Sequence, residues 1–388
     1  MDAYLIDAVR TPRGKARPDG GLASLSPQEL VRQLHAALLQ RQGAAAATPD
    51  ALLLGCVGQV GSQGGHLALV AKLHAGLPDA TSALTLNNYC VSGLTAIGQA
   101  AALVQSGQAE RVLAGGVEMM SQVGFMADRA SYYGDMSFPP RTRYLPVALA
   151  ADRLAAAEGV GRADLDAAAL VSQQRAAQAL AGLQRSRIAI TRTDGSLALA
   201  HDECVRGQTT AEGLAAMAPA FAGLASDCAA ALDGQQFPAL HTVSHAPPMC
   251  DGAALALIGH QRSAGARARI VAFAEAGGDP AASLLAGLAA MDKVLARAGL
   301  DLAQMDRIEF MEAFGVTLVK FLRDWPVDPA RVNVGGGHMA KGHPLGASGA
   351  ILVSTLLDAL DEADGRYGLV VCSGASGVGA AMIVERLP

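Results

Sequence analysis

Short apolar runs alternate with segments of helical periodicity along most of the chain. This pattern is typical of an α/β fold, in which buried strands are continuous apolar runs and helices bury one face. The first helix is predicted to begin after Ser26, which caps its N-terminus, with Pro27 in its first turn and Glu29 as the capping acid. Strands are predicted at residues 3–9, 52–55, 83–86, 111–114, 253–258, 270–274, 307–310, 369–372 and 380–385. Helices are predicted at residues 30–39, 67–73, 92–105, 283–298 and 347–360.

Residues 119–236 depart from this alternation. Aromatic and proline residues cluster between Tyr132 and Tyr144, and the alanine-rich segments that follow lack strong strand runs. We interpret the region as an insertion over the α/β core. A separate helical domain is the alternative interpretation.

Two distant parts of the chain share one pattern. Residues 88–93 open a helix that leads to a strand and a small-residue turn at 113–116. Residues 342–346 open a second helix that leads to a strand and a small-residue turn at 371–374. The correspondence suggests two similar halves whose reactive residues lie at equivalent helix starts and strand ends.

The composition excludes several classes of protein. Charged residues make up 17% of the 388 residues, the formal net charge is −5 and the mean hydropathy is +0.27. Such a weak negative charge provides no surface for nucleic acid, and no apolar run of about 18 residues predicts a membrane span. The six cysteines form no C-x-x-C pair and no secretion signal is apparent, so we expect reduced thiols in the cytoplasm.

Cys90 is the leading candidate for a nucleophile. It lies just before the helix predicted at 92–105, where unpaired N–H groups and the helix dipole favour a thiolate over a thiol. Gly93 permits close approach of a ligand or of another backbone segment. A buried cysteine that serves only packing is the alternative.

His343 and Cys372 carry the groups that a cysteine nucleophile needs. His343 lies in a glycine-flanked loop before the second helix, and an imidazole within reach of a thiol activates it. Cys372 ends a strand, where a second thiol could act as acid and base toward a substrate carbon. Gly374 follows it in a turn whose N–H groups could bind an oxyanion. A zinc site from Cys90, His343 and Cys372 is disfavoured because none has short ligand spacing, so no metal is predicted.

Four separated blocks resemble the signature sequences of the thiolase family. They read NYCVSG at 88–93, AGGVEMMS at 114–121, GHPLGASG at 342–349 and CSG at 372–374. The weaker blocks VRTPRG at 9–14 and DGAA at 251–254 agree with them. Together the blocks extend over essentially the whole chain in the family's order.

The resemblance implies a five-layered α/β/α/β/α fold of two similar halves with an inserted loop domain. It assigns residues 1–118 and 245–268 to the first half, residues 119–244 to the loop domain and residues 269–388 to the second half. It also implies a homodimer or a homotetramer.

By the same resemblance, Cys90 accepts an acyl group from acyl-CoA, His343 activates Cys90, and Cys372 moves the proton on the second acyl-CoA. The N–H groups of Cys90 and Gly374 would form one oxyanion hole, and His343 would contribute to another. The implied reaction is a reversible Claisen condensation, or thiolysis of a 3-oxoacyl-CoA in fatty acid metabolism. Acyl-CoA and CoA are then the partners, and no metal or redox cofactor is expected.

Some positions depart from the family pattern. Met311 stands where an amide or an imidazole usually precedes Glu-Ala-Phe, and a thioether cannot donate a hydrogen bond. Pro247 replaces a serine that meets the pantetheine arm, and residues 147–152 replace a more polar helix start. His338 occupies a usually small or aliphatic position, and we hypothesise that it compensates for Met311.

The first hypothesis is therefore a thiolase-type C-acyltransferase that forms an acyl-enzyme on Cys90. Met311 and Pro247 favour an alternative of the same fold, which would use a carrier-protein thioester or a non-CoA acceptor. A non-catalytic subunit with the thiolase fold is a third hypothesis, against which the three reactive side chains argue. The sequence leaves the acyl chain length and the direction of the reaction open.

Overall fold

The computed structural model describes residues 1–180, 182, 184–262 and 265–388. The strands are β1 (Ala3–Arg10), β2 (Gly14–Lys15), β3 (Ala51–Gly55), β4 (Ser82–Leu86), β5 (Arg111–Met119), β6 (Ile190–Thr191), β7 (Leu197–Leu199), β8 (Cys250–Gly259), β9 (Ala268–Gly277), β10 (Arg307–Phe310), β11 (Tyr367–Gly374) and β12 (Val378–Arg386). The helices are α1 (Pro27–Gln42), α2 (Ala44–Ala47), α3 (Leu67–His74), α4 (Ser92–Gln105), α5 (Val147–Glu158), α6 (Arg162–Leu180), α7 (Ala211–Ala215), α8 (Leu224–Asp227), α9 (Ala229–Leu232), α10 (Ala286–Ala298), α11 (Gly315–Asp324), α12 (His338–Lys341) and α13 (Ser348–Glu362).

Every strand and helix predicted from the hydrophobic pattern is present, and most have shifted bounds. The helix predicted at 283–298 begins only at Ala286, because Ser283 has a φ of +49°, outside the helical region. Strand β5 continues past the predicted residue 114 to Met119 and carries the buried Glu118 near its end. The pattern missed this extension because glycines and an acid interrupt the apolar run.

Ten of the described strands form two halves of one sheet, and β6 and β7 pair in a separate two-stranded sheet. The order of the ten-stranded sheet in the described residues is β10-β11-β12-β9-β1-β8-β5-β3-β4, with β2 beside β8. In the first half, β3 is parallel to β4 and β5, whereas β8 is antiparallel to β5 and β1. In the second half, β10 is parallel to β11, whereas β12 is antiparallel to β11 and β9. The halves join where β1 pairs with β9 over residues 3–5.

Alternate residues of the strands face different cores, and these cores define five layers. In β8, Ala256 and Ile258 pack into a central core, whereas Leu255 and Leu257 pack outward with α1 and α3. Strand β12 divides its residues in the same way between the central core and an outer core that includes α10 and α11. Helices α4 and α13 fill the central core. The α/β/α/β/α fold predicted from the sequence is thus confirmed.

The two central helices approach so closely that only glycine fits at their contact. A Cβ on Gly93 would lie 2.7 Å from the carbonyl oxygen of Gly346, and one on Gly349 would lie 2.6 Å from the backbone nitrogen of Leu94. Larger residues would force the helices apart. The contact brings the start of α4, with Cys90, next to the start of α13, with His343.

The chain between β5 and β8 contains helices α5–α9 and the short strands β6 and β7. Helix α5 packs on α11, and α6 packs on α11 and α12, so this region also contacts the second half. The bounds of the loop domain, residues 119–244, stay a prediction. Among the described residues, none of the helices combines the length and hydrophobicity needed to cross a bilayer.

Candidate active site

Cys90 lies in a strained turn just before α4. The preceding residue, Tyr89, has a φ of +46°, a left-handed conformation that costs energy for a residue other than glycine. Two hydrogen bonds hold it: Asn87 Oδ1 accepts from the Tyr89 N–H at 2.9 Å, and the Ser92 hydroxyl donates to the Tyr89 carbonyl at 2.5 Å. The turn places Cys90 in the lining of a cavity of about 800 Å³.

Burial decides the protonation state of Cys90. Desolvation raises the pKa of its thiol to about 12, although the backbone N–H groups of Ala375 and of Cys90 itself donate toward the sulfur and lower the pKa. The sequence led us to expect that the helix start favours the thiolate. That expectation is wrong for the free protein, because the desolvation penalty exceeds the backbone contribution. Cys90 is therefore a neutral thiol at pH 7 and needs a base to react.

His343 lines the same cavity as Cys90. Its backbone N–H donates to the Pro248 carbonyl at 2.8 Å, and its Nδ1 lies 2.6 Å from the Ser348 hydroxyl oxygen at the start of α13. Burial, with a smaller contribution from the Arg13 guanidinium, lowers the pKa of the imidazole to about 3. A neutral imidazole that is held through Nδ1 can accept a proton on its other nitrogen.

Cys372 and Gly374 lie at the end of β11, beside Cys90. The Cys372 side chain is fully buried, and burial together with the charge of a Cys90 thiolate raises the pKa of the Cys372 thiol well above its usual value. A Cβ on Gly374 would lie 3.4 Å from the Cys90 backbone nitrogen, so the turn at Gly374 passes next to Cys90. The structure brings the candidate residues from both halves to one place.

The three divergent positions lie in different surroundings. Pro247 lines the cavity, where it has neither a hydroxyl nor an N–H to offer a ligand. Met311 is 1% exposed in the central core, and its N–H donates to the Val371 carbonyl at 2.9 Å. His338 is fully buried, and its ring lies edge-on to that of His343, with 5.2 Å between the ring centroids. Neither ring nitrogen of His338 has a hydrogen-bond partner among the described residues.

Glu118 connects the two halves, a role that the sequence analysis missed. Its buried carboxylate accepts hydrogen bonds from the N–H groups of Val57 and Gly58 at 2.9 Å and from that of Gly346 at 3.0 Å. It therefore fixes the loop after β3 against the loop that follows His343. The available signal was a lone acid near the end of an apolar strand, inside the block at 114–121.

Glu312 fixes the segment that leads to His343. Its carboxylate accepts hydrogen bonds at 2.9 Å from the Ser172 hydroxyl, the Asn333 amide and the Met339 N–H. A Cβ on Gly337 would lie 2.1 Å from the carboxylate carbon, so the chain passes directly over this acid. The sequence showed Glu312 only as part of a motif, because its partners are far away in the chain.

Arg13 is a buried cation beside the two histidines. Its side chain is about 1% exposed, and its Nε and Nη1 have no hydrogen-bond partner among the described residues. Its charge lowers the pKa of both His338 and His343. Asp202 accepts from the Arg13 backbone N–H at 2.9 Å, but its carboxylate forms its ion pair with Arg10 at 2.8 Å.

The wall of the cavity is mainly apolar and aromatic, with basic residues elsewhere in its lining. The aromatic residues are Tyr89, Phe125, Tyr133, Tyr144, Phe221 and Phe314. The basic residues are Lys15, Arg17 and Arg206. Within the described part of the chain, no group of three or more His, Cys, Asp or Glu side chains is arranged to hold a metal ion.

Comparison with known proteins identifies the family. The model of the thiolase N-terminal domain matches residues 3–234, and that of the thiolase C-terminal domain matches residues 264–386. The chain belongs to the thiolase family. This thiolase is 34% identical to the beta-ketoadipyl-CoA thiolase of Acinetobacter baylyi over 99% of both chains. It is also 34% identical to the 3-oxoadipyl-CoA/3-oxo-5,6-dehydrosuberyl-CoA thiolase of Escherichia coli over 100% of both chains.

A third relative broadens the comparison. This thiolase is 31% identical to the 3-ketoacyl-CoA thiolase of Bacillus subtilis over 99% of both chains. The predicted family and enzyme class are thereby confirmed. The protein is a thiolase-type C-acyltransferase, which makes or cleaves the carbon–carbon bond of a 3-oxoacyl thioester by Claisen chemistry.

Proposed function

We propose that this thiolase carries the acyl group on Cys90, with His343 as the base and Cys372 as the acid and base toward the substrate carbon. One observation carries the proposal: Cys90 and His343 come from equivalent helix starts in the two halves and line one cavity. Cys372 lies next to Cys90 at the end of β11.

In the first half-reaction of thiolysis, the Cys90 sulfur attacks the 3-oxo carbon and His343 takes the thiol proton. The carbon–carbon bond then breaks, and its electron pair stays on the acetyl-CoA carbon. The Cys372 thiol donates a proton to that carbon, which releases acetyl-CoA and leaves an acyl group on Cys90. The N–H groups at Cys90 and in the turn at Gly374 are suited to the oxyanion that forms on the 3-oxo oxygen when the Cys90 sulfur adds to its carbon.

In the second half-reaction, the thiol of CoA attacks the acyl group on Cys90. Its proton passes to the Cys372 thiolate that the first half-reaction left. Protonated His343 returns its proton to the Cys90 sulfur, which leaves as a thiol, and an acyl-CoA shortened by two carbons is released. The condensation direction uses the same steps in reverse. Both thiols are neutral in the free enzyme, so each step depends on proton transfer rather than on a thiolate that is already present.

CoA is the proposed carrier of the acyl groups. Lys15, Arg17 and Arg206 in the cavity lining suit its phosphates, because lysine and arginine bind phosphate oxygens through charge-assisted hydrogen bonds. The names of the relatives also refer to CoA thioesters. We further propose a cytoplasmic homodimer or homotetramer that needs no metal or redox cofactor.

The test is the detection of the acyl-enzyme. The purified protein is incubated with acetyl-CoA, and intact-mass and peptide spectra are recorded. We expect one acetyl group on Cys90 in the wild type and in a Cys228→Ala control, and none in Cys90→Ala. Thiolysis of acetoacetyl-CoA should vanish in Cys90→Ala while the circular dichroism spectrum is retained. Full turnover by Cys90→Ala would overturn the proposal.

Pro247 favours one alternative, an enzyme of the same fold that takes a carrier-protein thioester or uses a non-CoA acceptor. The proline lines the cavity without a polar group for a pantetheine arm. An acetylated carrier protein is therefore tested beside acetyl-CoA. Faster acylation of Cys90 by the carrier protein would favour the alternative, and acylation by neither donor would favour a non-catalytic subunit.

A further inference from the structure

Two buried histidines lie in the segment that leads into β8, residues 241–248, and neither takes part in the proposed proton transfers. Each lies against a carboxylate. His241 Nδ1 is 2.6 Å from Asp152 Oδ1 on α5, and His245 Nε2 is 2.7 Å from Asp166 Oδ1 on α6. Both histidine side chains are fully buried. Burial of two such pairs is costly, so they require an explanation.

Hydrogen bonds determine the tautomer of His245. The Thr242 N–H donates to His245 Nδ1 at 3.0 Å, so Nδ1 carries no proton. Burial lowers the pKa of His245, although the Asp166 carboxylate raises it. The neutral ring therefore carries its proton on Nε2, which donates a hydrogen bond to Asp166. Both ring nitrogens are used, and the ring connects the turn at Thr242 to α6.

His241 fixes the start of the same segment. Asp152 Oδ1, which contacts the His241 ring, also accepts hydrogen bonds from the N–H groups of Leu240 at 3.0 Å and of His241 at 2.9 Å. The His241 ring lies edge-on to that of Phe314, with 5.5 Å between the ring centroids. Because Phe314 lines the cavity, the segment is held beside the candidate active site.

The other end of the segment reaches His343. Pro247 and Pro248 follow His245 closely, and each proline ring fixes φ at about −65°, so little rotation is available between them. The Pro248 carbonyl accepts a hydrogen bond from the His343 N–H at 2.8 Å. A Cβ on Gly342 would lie 3.2 Å from the same carbonyl oxygen. The position of the His343 backbone therefore depends on where His245 places the two prolines.

His245 thus connects three parts of the molecule. Its ring contacts Asp166 on α6, its carbonyl accepts from the Gly315 N–H at 2.8 Å at the start of α11, and the two prolines extend from it to His343. On the basis of the proposed function, in which His343 is the base, we infer that His245, anchored by Asp166, is a positioning residue that sets the distance between His343 and Cys90.

The test uses alkylation of Cys90 by iodoacetamide, a probe that does not depend on binding of CoA. The Cys90 sulfur forms a bond to the methylene carbon, iodide leaves, and the thiol proton passes to His343. The rate therefore reports the relative placement of Cys90 and His343. Peptide mass spectrometry of the full-length enzyme at pH 7 measures the rate at each cysteine.

We expect His245→Ala to slow alkylation of Cys90 by roughly tenfold, because a small displacement of a reacting group lowers a rate by a large factor. His343→Ala should slow it at least as much. Two other cysteines report on the fold in the same spectra. The rate at the half-buried Cys228 should be unchanged, and the buried Cys250 should stay unmodified. Alkylation of Cys90 at the wild-type rate in His245→Ala would overturn the inference.

Asp166→Ala removes the anchor from α6, and it decides the inference also if His245→Ala does not fold. It should slow alkylation of Cys90 by about threefold, and the double variant should be no slower than His245→Ala, because residues that act through one contact are not additive. Arg162→Met is the matched control, since Arg162 pairs with Asp166 at 3.0 Å without contacting His245, and it should leave the rate unchanged. Additive losses, or no loss in Asp166→Ala, would overturn the inference.

His245→Asn tests the positioning role with a conservative change. The amide oxygen can accept from the Thr242 N–H in place of Nδ1, whereas the hydrogen bond to Asp166 is lost. The alkylation rate of Cys90 should then lie between those of the wild type and His245→Ala. A lower melting temperature with an unchanged alkylation rate would show a merely structural role and overturn the inference.

Failure of the inference differs from failure of the proposed function. If alkylation of Cys90 slows in His343→Ala but not in His245→Ala, only the inference is wrong. If alkylation is as fast in His343→Ala as in the wild type, the role of His343 as the base fails, and the inference fails with it. If acetyl-CoA does not acetylate Cys90, the proposed function fails, whereas the alkylation rates still decide whether His245 positions His343.

Discussion

The starts of the two central helices occupy equivalent places in the two halves but present different surroundings. Before α4, the turn at Tyr89 is strained, and Asn87 and Ser92 hold it through uncharged hydrogen bonds. Before α13, His343 lies among buried ionisable groups, with the Arg13 guanidinium close enough to lower its pKa. One half therefore presents a thiol in a fixed turn, and the other presents a neutral imidazole.

The strand ends that follow these helices differ as well. The end of β5 carries Glu118, which accepts three backbone hydrogen bonds and is fully engaged in holding loops. The end of β11 carries Cys372, a buried thiol next to Cys90. The duplicated architecture supplies equivalent positions. In the proposed mechanism, the side chain at one position holds the site together and the side chain at the other transfers a proton.

The largest effect is expected from Cys372→Ala. Thiolysis of acetoacetyl-CoA should fall by about 10³-fold, because the carbanion loses its proton donor. Acetylation of Cys90 by acetyl-CoA should survive in part, since that step uses His343. Rapid-quench mass spectrometry separates the two half-reactions, and Cys250→Ala controls for the loss of a buried cysteine. Equal loss of both half-reactions would contradict the division of roles between the strand ends.

A smaller effect is expected from Arg13→Leu. Removal of the guanidinium raises the pKa of His343 from about 3 toward its ordinary value of 6.5, and burial still holds it below that value. Protonation of the base abolishes its function, so the acid limb of kcat/KM should move to higher pH. The pH profile of thiolysis measures the shift. Arg111→Leu, at the far end of β5, is the control. If the acid limb of kcat/KM lies at the same pH in Arg13→Leu as in the wild type, the electrostatic role of Arg13 is refuted.

The smallest effect is expected from His338→Ala. We propose that His338 positions His343 through their edge-on contact and compensates for Met311. The variant should lower kcat by roughly tenfold and leave KM nearly unchanged. In His338→Asn, part of the lost kcat should be restored. His35→Ala removes another buried histidine as a control. Unchanged turnover in His338→Ala would end the hypothesis.

The order of the elements was predictable because local patterns determine it. Helix α4 starts and ends at the predicted residues 92 and 105, since small and apolar residues fill it and polar residues flank it. Cys90, His343 and Cys372 were identified because each stands at a glycine-rich junction between elements. The late start of α10 was missed because the left-handed Ser283 depends on contacts with the turn at Gly377, whose N–H donates to the Ser283 carbonyl at 3.1 Å.

The sequence by itself determined the α/β alternation, the paired halves, the family resemblance and the three candidate reactive residues. Periodicity and junction motifs are local properties, so they can be read without coordinates. Only the tertiary structure decided that Cys90 rests as a neutral thiol, that Arg13 lies beside His343, and that Glu118 holds loops of both halves together. Desolvation and charge interactions depend on which distant residues surround a group, and that information exists only once the chain is folded.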